Sequence, residues 1–151
     1  MTISMYTACV PVFRQMLGSL DELLGKAEAH VAARNIDPAA LLQARLFPDM
    51  FPFTRQIQIA CDFAKSVPAR LAGVDVPAFE DNEQSFADLH ARIARTLAFI
   101  DGLQAAGFDG SEQREIVLRP GTPKERRLTG QAYLLVYGLP QFFFHVTTAY
   151  A

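Results

Sequence analysis

The chain has 151 residues, 50% of them hydrophobic and 20% charged, so we expect one folded domain over residues 1–151. The formal net charge of −2 and the pI near 5.9 argue against nucleic acid as a partner, because binding a phosphate backbone needs a concentrated basic surface. Two cysteines are too few for a disulfide framework and we recognise no secretion signal, so the sequence favours buried thiols in the cytoplasm.

Apolar residues at three- and four-residue steps predict a long first helix from about Tyr6 to about Ala33. Pro11 lies early in this segment and fits it only within the first helical turn, because proline lacks a backbone N–H. Asp37 then predicts the cap of a short helix, with Pro38 at its favoured first position.

The second long helix is predicted to begin in the bend of residues 47–52, which is rich in proline and aromatic side chains. Its apolar stripe recurs at helical spacing as far as Leu71. Pro68 is expected to kink or restart the last turns, because its ring clashes with the preceding turn.

A long crossover is predicted between the second and third helices. Residues 73–82 lack helical periodicity, and about ten extended residues can span the length of a helix of roughly 20 residues. The second and third helices can therefore be parallel. Asp81 or Asn82 is the expected cap of the third helix, which Gly107 and Gly110 are expected to close.

The last third of the chain predicts a small β-hairpin followed by a final helix. Residues 114–128 contain two short strands around a turn rich in proline and glycine. Thr129 is the expected cap of the final helix, and Gly138 and Pro140 should bend it near its middle. Four long helices with little β-structure predict an all-α four-helix bundle.

The final helix is the most informative segment, because residues 132–151 are almost wholly apolar. Such a helix is buried either in a protein core or in a bilayer. The polar Gln141 and His145 and the central Gly138 favour the core, while a membrane-tethered bundle stays open as an alternative. Ala151 ends the sequence without a C-cap pattern, so the helix either frays there or continues into a tail.

His145 is the first candidate for ligand binding, because an imidazole in so apolar a helix needs a hydrogen-bond partner or a metal. A core histidine bonded to a facing helix and a group that binds ligand or handles protons both fit this pattern. Tyr137 and Gln141 precede it at steps of four residues. They are candidates for a polar seam that lines a small-molecule pocket, and ordinary bundle packing is the alternative.

The second helix is more polar than its neighbours and supplies three further candidates, Arg55, Gln58 and Asp62. A solvated face explains most of this polarity, and inward-pointing partners of the final helix are the other interpretation. His30 and His90 lie among charged or small residues, so we expect both to be exposed and assign them no role.

Three motifs resemble a bacterial family of uncharacterised proteins related to the DinB-like helical bundles. They are MFPFTRQIQIACDFAK (residues 50–65), PAFED (residues 77–81) and FFFHVTTAYA (residues 142–151). The resemblance implies a four-helix bundle with up-down-down-up topology, often a homodimer. It also implies, for many members of the superfamily, a divalent metal held by three histidines. One of these histidines comes from the second helix, and the other two are spaced H-x-x-x-H on the fourth. Some members of the superfamily are thiol-dependent transferases or isomerases.

This chain departs from the metal-binding pattern of the superfamily. His145 matches the first histidine of the fourth-helix pair, but Ala149 stands at the second position, and the second helix offers Gln56 and Gln58 instead of histidine. Amide oxygens are poor ligands for transition metals. The first functional hypothesis is therefore a homodimer without metal or cofactor that binds a small molecule or another protein. The second is a metal-dependent enzyme resembling thiol transferases, with Asp62 as an unconventional ligand beside His145.

Overall fold

The computed structural model describes residues 2–151 and contains a bundle of helices with one short β-hairpin. The helices before the hairpin are α1 (Met5–Ala33), α2 (Pro38–Leu42), α3 (Phe53–Ala72) and α4 (Phe86–Asp101), and two 3₁₀ turns follow at Ala105–Phe108 and Ser111–Gln113. The hairpin consists of β1 (Glu115–Leu118) and β2 (Arg126–Thr129). The terminal helix consists of α5 (Gly130–Ala132), a π-helical segment (Tyr133–Gly138) and α6 (Leu139–Tyr150).

Helix α1 begins after Ser4, whose hydroxyl oxygen accepts a hydrogen bond from the backbone N–H of Thr7. Pro11 lies in the second turn, so the expectation that it is restricted to the first turn was wrong. Pro11 is exposed, and Thr7, whose carbonyl loses its usual helical donor, is also exposed. Water can therefore replace the missing hydrogen bond.

Helix α2 confirms the predicted local signals, since Asp37 accepts a hydrogen bond from Ala39 N–H and Pro38 is the first helical residue. Helix α3 is continuous from Phe53 to Ala72, so Pro68 does not restart it. Gly73 ends α3 in the left-handed conformation, with φ of 70°, which is accessible to glycine without steric cost.

The crossover, residues 73–85, has no regular secondary structure, as predicted, but it is longer than expected. Ser85 caps α4 by accepting a hydrogen bond from Asp88 N–H, so the predicted caps Asp81 and Asn82 were wrong. The carboxylate of Asp81 bonds to arginines of the neighbouring helices instead. Helix α4 also ends at Asp101, before the glycines expected to close it.

The predicted hairpin is confirmed. Strands β1 and β2 are antiparallel, with Glu115 opposite Thr129 and Leu118 opposite Arg126. Ile116 and Leu118 point into the core, which gives β1 the alternation expected of a strand with one buried face. Thr129 then caps the terminal helix by accepting a hydrogen bond from the backbone N–H of Ala132.

The terminal helix changes to π-helical geometry over Tyr133–Gly138, at the place where a bend is predicted. Gly138 sits against Val67 of α3, and a Cβ atom added there would lie 2.7 Å from Val67 Cγ2. The absence of a side chain at Gly138 therefore allows the two helices to approach closely. π-helical turns are rare and are frequent at functional sites.

The four long helices surround one hydrophobic core in which α3 packs between α4 and the terminal helix, and α1 closes the bundle against α4 and α6. Buried apolar side chains come from every long helix and from β1. The all-α four-helix bundle with a small hairpin is therefore confirmed.

Within residues 2–151, we find no helix that combines the length and the apolar character needed to cross a membrane.

Candidate functional site

His145 lies in the interior between α6 and α3, with 8% of its surface exposed. Its Nδ1 is 2.6 Å from Oε1 of Gln56, which is buried as well. The amide nitrogen of Gln56 donates to the carbonyl of Phe51, 3.4 Å away, and this contact orients the amide oxygen toward the imidazole. Because that oxygen only accepts, Nδ1 carries the proton and Nε2 carries the free lone pair.

Aromatic rings enclose the imidazole on two sides. Phe63 stacks on it at 6.0 Å between ring centroids and 16° between planes, and Phe144 meets it edge-on at 5.1 Å and 84°. Burial, and to a smaller extent the positive charge of Arg55, lower the pKa of His145 below its ordinary value. Since that ordinary value is about 6.5, the buried imidazole is neutral at pH 7.

A cavity of about 390 Å³ lies beside this pair. Gln56 lines it from α3, and Thr148 and Ala149 line it from α6. Ala149 is one turn beyond His145 and occupies the position where the resemblance implies a second histidine. Its small side chain leaves that position open to the cavity.

Tyr137 and Gln141, the other predicted residues of the terminal helix, lie apart from the Gln56–His145 pair. Tyr137 is half-buried, and its ring is 5.8 Å from that of Tyr133 and 6.0 Å from that of Phe63. Phe63 therefore lies between Tyr137 and His145. Gln141 is exposed and has no hydrogen-bond partner in the described part of the chain.

The remaining predicted residues belong to a second polar group, the Arg92 cluster, formed by Arg92, Asp62, Asp81, Glu83 and Gln58. Arg92 is fully buried on α4, and its Nη2 lies 2.9 Å from both Asp62 Oδ1 and Asp81 Oδ1. Its Nη1 lies 3.0 Å from Glu83 Oε1, and Gln58 Nε2 donates to Glu83 Oε2 at 2.7 Å. Burial opposes the charge of Arg92, but these carboxylates outweigh it and raise its pKa.

The Arg92 cluster fixes the crossover to helices α3 and α4. Asp81 also bonds to Arg55 at 2.7 Å, and the ring of Phe79 lies between two cations. Lys65 Nζ is 4.3 Å and Arg95 Cζ is 4.6 Å from the centroid of the Phe79 ring, and both distances are within the range of cation–π contacts. Asp62 and Gln58 thus belong to the group that holds the crossover. Arg55 contacts Gln58 and Asp81 of this group, and its charge also lowers the pKa of His145.

The residues present do not fit the three-histidine metal site of the superfamily. His145 offers one ligand atom, Nε2, whereas Ala149 offers none, Gln56 offers an amide already bonded to His145, and Asp62 is paired with Arg92 and with Lys65 at 3.1 Å. Over residues 2–151, no group of three or more His, Cys, Asp or Glu side chains has an arrangement that could hold a metal ion.

Two other features differ from the sequence interpretation. His90 is not exposed but half-buried, with Nδ1 2.6 Å from Asp21 Oδ1 across the α1–α4 contact. Arg92 was overlooked as a buried residue, although it follows Leu89 by three positions and immediately precedes Ile93. Both of these apolar residues are buried in the core, so helical periodicity alone indicated an inward-facing arginine.

Comparison with known proteins supports the resemblance seen in the motifs. A family model described as a domain of unknown function (DUF1993) matches residues 5–151. The fold is similar to the crystal structure of a DinB family member protein from Shewanella denitrificans, with a TM-score of 0.89. The two sequences are 37% identical over 96% of this chain and 82% of that chain. No curated protein matches the sequence. The predicted DinB-like bundle is therefore confirmed.

Proposed function

We propose that this chain, which belongs to the DUF1993 family of domains of unknown function, binds a small organic molecule and acts as a homodimer. The ligand site is the cavity beside the Gln56–His145 pair. The observation that carries the proposal is this cavity of about 390 Å³, which Gln56 lines from α3 and Ala149 lines from α6.

Gln56 is the residue of the pair that reaches the cavity wall, and contacts hold its amide at both ends. Its oxygen accepts a hydrogen bond from Nδ1 of His145, and its nitrogen donates to the carbonyl of Phe51. A side chain fixed in this way before the ligand arrives reduces the entropy cost of binding.

The cavity supports an organic ligand in the place of a metal. Its volume of about 390 Å³ falls within the range of roughly 300–1,000 Å³ found for small-molecule sites. Ala149, which lines it, is the position where the resemblance implies the second histidine of the fourth helix. Gln56, which also lines it, is one of the two glutamines in the second-helix region where the resemblance implies a histidine. An amide and a methyl group are suited to hydrogen bonding and packing against an organic molecule.

Exposed apolar side chains on the terminal helix support the homodimer. Val136 is 73% exposed and Tyr150 is 75% exposed, and Leu135, Phe143 and Phe144 are exposed on the same helix. Apolar patches on a protein surface are typical of interaction sites.

Sedimentation equilibrium should give twice the chain mass of 16.7 kDa, and Val136→Glu should shift the distribution toward the monomer.

The ligand site can be tested with a library of small organic fragments. Nitrogen-15 spectra of protein labelled at glutamine follow the side-chain amide of Gln56 directly, because its chemical shift responds to a ligand in the cavity. We expect the bound fragments to perturb this amide and to lose at least about tenfold in affinity in Gln56→Ala. Tyr137→Phe, outside the cavity, is the matched control. Fragments that bind equally well to Gln56→Ala would contradict the proposal.

A further inference from the structure

We infer that the ligand of the cavity beside Gln56 is a small amphipathic anion, with an apolar body and a carboxylate or similar acidic group. This inference rests on the proposed function, because it assigns a chemical class to the ligand of that site. The observation behind it is the placement of positive charge around an otherwise apolar cavity.

The wall of the cavity is mainly apolar. Leu23 and Ala27 contribute from α1, Leu41 from α2, and Phe53 from the first turn of α3. A surface of this kind favours hydrocarbon or an aromatic ring, because removing apolar area from water is favourable. The volume of about 390 Å³ lies near the lower end for small-molecule sites, so the body is a single ring or a short chain.

Two cations line the same cavity, Lys26 on α1 and Arg45 after α2. In the described part of the chain, neither forms an ion pair with a carboxylate, whereas five of the other ten arginines do. Arg45 donates one hydrogen bond to the carbonyl of Met50, which holds its side chain against the loop before α3. No Asp or Glu side chain lies among the described lining residues.

These features favour a negative charge on the ligand. An anionic group at the cations would gain charge-assisted hydrogen bonds, which are roughly twice as strong as neutral ones. Both cations are exposed, so water solvates them when the cavity is empty. A cationic ligand would meet two like charges, and a neutral ligand would gain no charge-assisted bond from either cation. Lys26 and Arg45 belong to different segments, so together they position an acid at the edge of the cavity with its body inside.

Three ligands of equal length and different charge test this inference: octanoate, octanol and octylammonium, measured by calorimetric titration at low salt. We expect octanoate to bind at least about tenfold more tightly than octanol, and octylammonium to bind most weakly. Lys26→Gln and Arg45→Gln should each weaken octanoate about tenfold and leave octanol unchanged. Lys124→Gln, which removes an exposed cation far along the chain in the hairpin turn, is the matched control.

The outcomes separate the two proposals. If octanol binds as tightly as octanoate, the anionic class is wrong while a ligand site in the cavity stands. If none of the three binds, both the anionic class and the ligand site in this cavity are contradicted. Ala27→Phe, which fills the cavity, should abolish octanoate binding in a variant whose circular dichroism confirms the fold. Binding that persists in this variant would overturn the assignment to this cavity.

Discussion

Helix α3 contributes to two buried polar groups that differ in how completely their atoms are paired. In the Arg92 cluster, both terminal nitrogens of the guanidinium bond to acidic side chains, and Gln58 adds a further bond to Glu83. Among the buried side-chain atoms of that cluster, in the described part of the chain, only Nε of Arg92 lacks a partner. The Gln56–His145 pair has one internal hydrogen bond and leaves the lone pair of Nε2 free.

The contrast separates a structural role from a binding role. The Arg92 cluster joins α3, α4 and the crossover, and most of its hydrogen-bonding capacity is used by the chain itself. The Gln56–His145 pair lies at the contact of α3 with α6, where Gln56 lines a cavity. Of the two buried groups, the one beside a cavity is therefore the candidate site.

The largest effect should come from removing the centre of the Arg92 cluster. Arg92→Met would leave Asp62, Asp81 and the buried Glu83 without their shared cation, at a cost of about 3–5 kcal/mol in the free energy of unfolding. Urea denaturation measures this cost. Arg14→Met breaks only the exposed pair with Asp101 and should change stability little, so it is the matched control. Equal losses in the two variants would contradict a structural role for the cluster.

A smaller effect should appear in the pH dependence of stability. Folding lowers the pKa of His145, so below about pH 6.5 the unfolded chain takes up a proton that the folded protein resists. The associated stability is therefore present above that pH and is lost as the pH falls. We expect His145→Gln to lose less stability than the wild type between pH 7.5 and 5.5, measured by urea denaturation. All other ionisable groups are common to the two proteins, so the comparison isolates His145, and parallel curves would contradict a buried neutral imidazole.

We expect the removal of metal to have the smallest effect, because the residues around His145 do not provide a complete set of metal ligands. Protein purified without chelator should contain far less than one equivalent of zinc, nickel or iron, and EDTA should leave its Tm unchanged. Elemental analysis and thermal denaturation measure these two quantities. A stoichiometric metal that disappears in His145→Ala would instead favour the metal-dependent transferase hypothesis.

Part of the candidate site could be predicted from the sequence. His145 was identified because an imidazole among phenylalanines at helical spacing must be buried and must find a partner. Its partner, Gln56, could not be distinguished from Gln58 two residues later. Both are polar residues of one helix, and each is buried against a different neighbour: Gln56 against α6 and Gln58 against the crossover.

The sequence by itself determined the helices, the hairpin, the caps Asp37 and Thr129, and the apolar character of the terminal helix, because these depend on residues within a few positions of one another. The tertiary structure alone decided which polar groups meet. Asp81 and Arg92, or Gln56 and His145, come together through the arrangement of helices whose residues are distant in sequence. Periodicity indicates which side of a helix is buried, and only packing specifies what that side contacts.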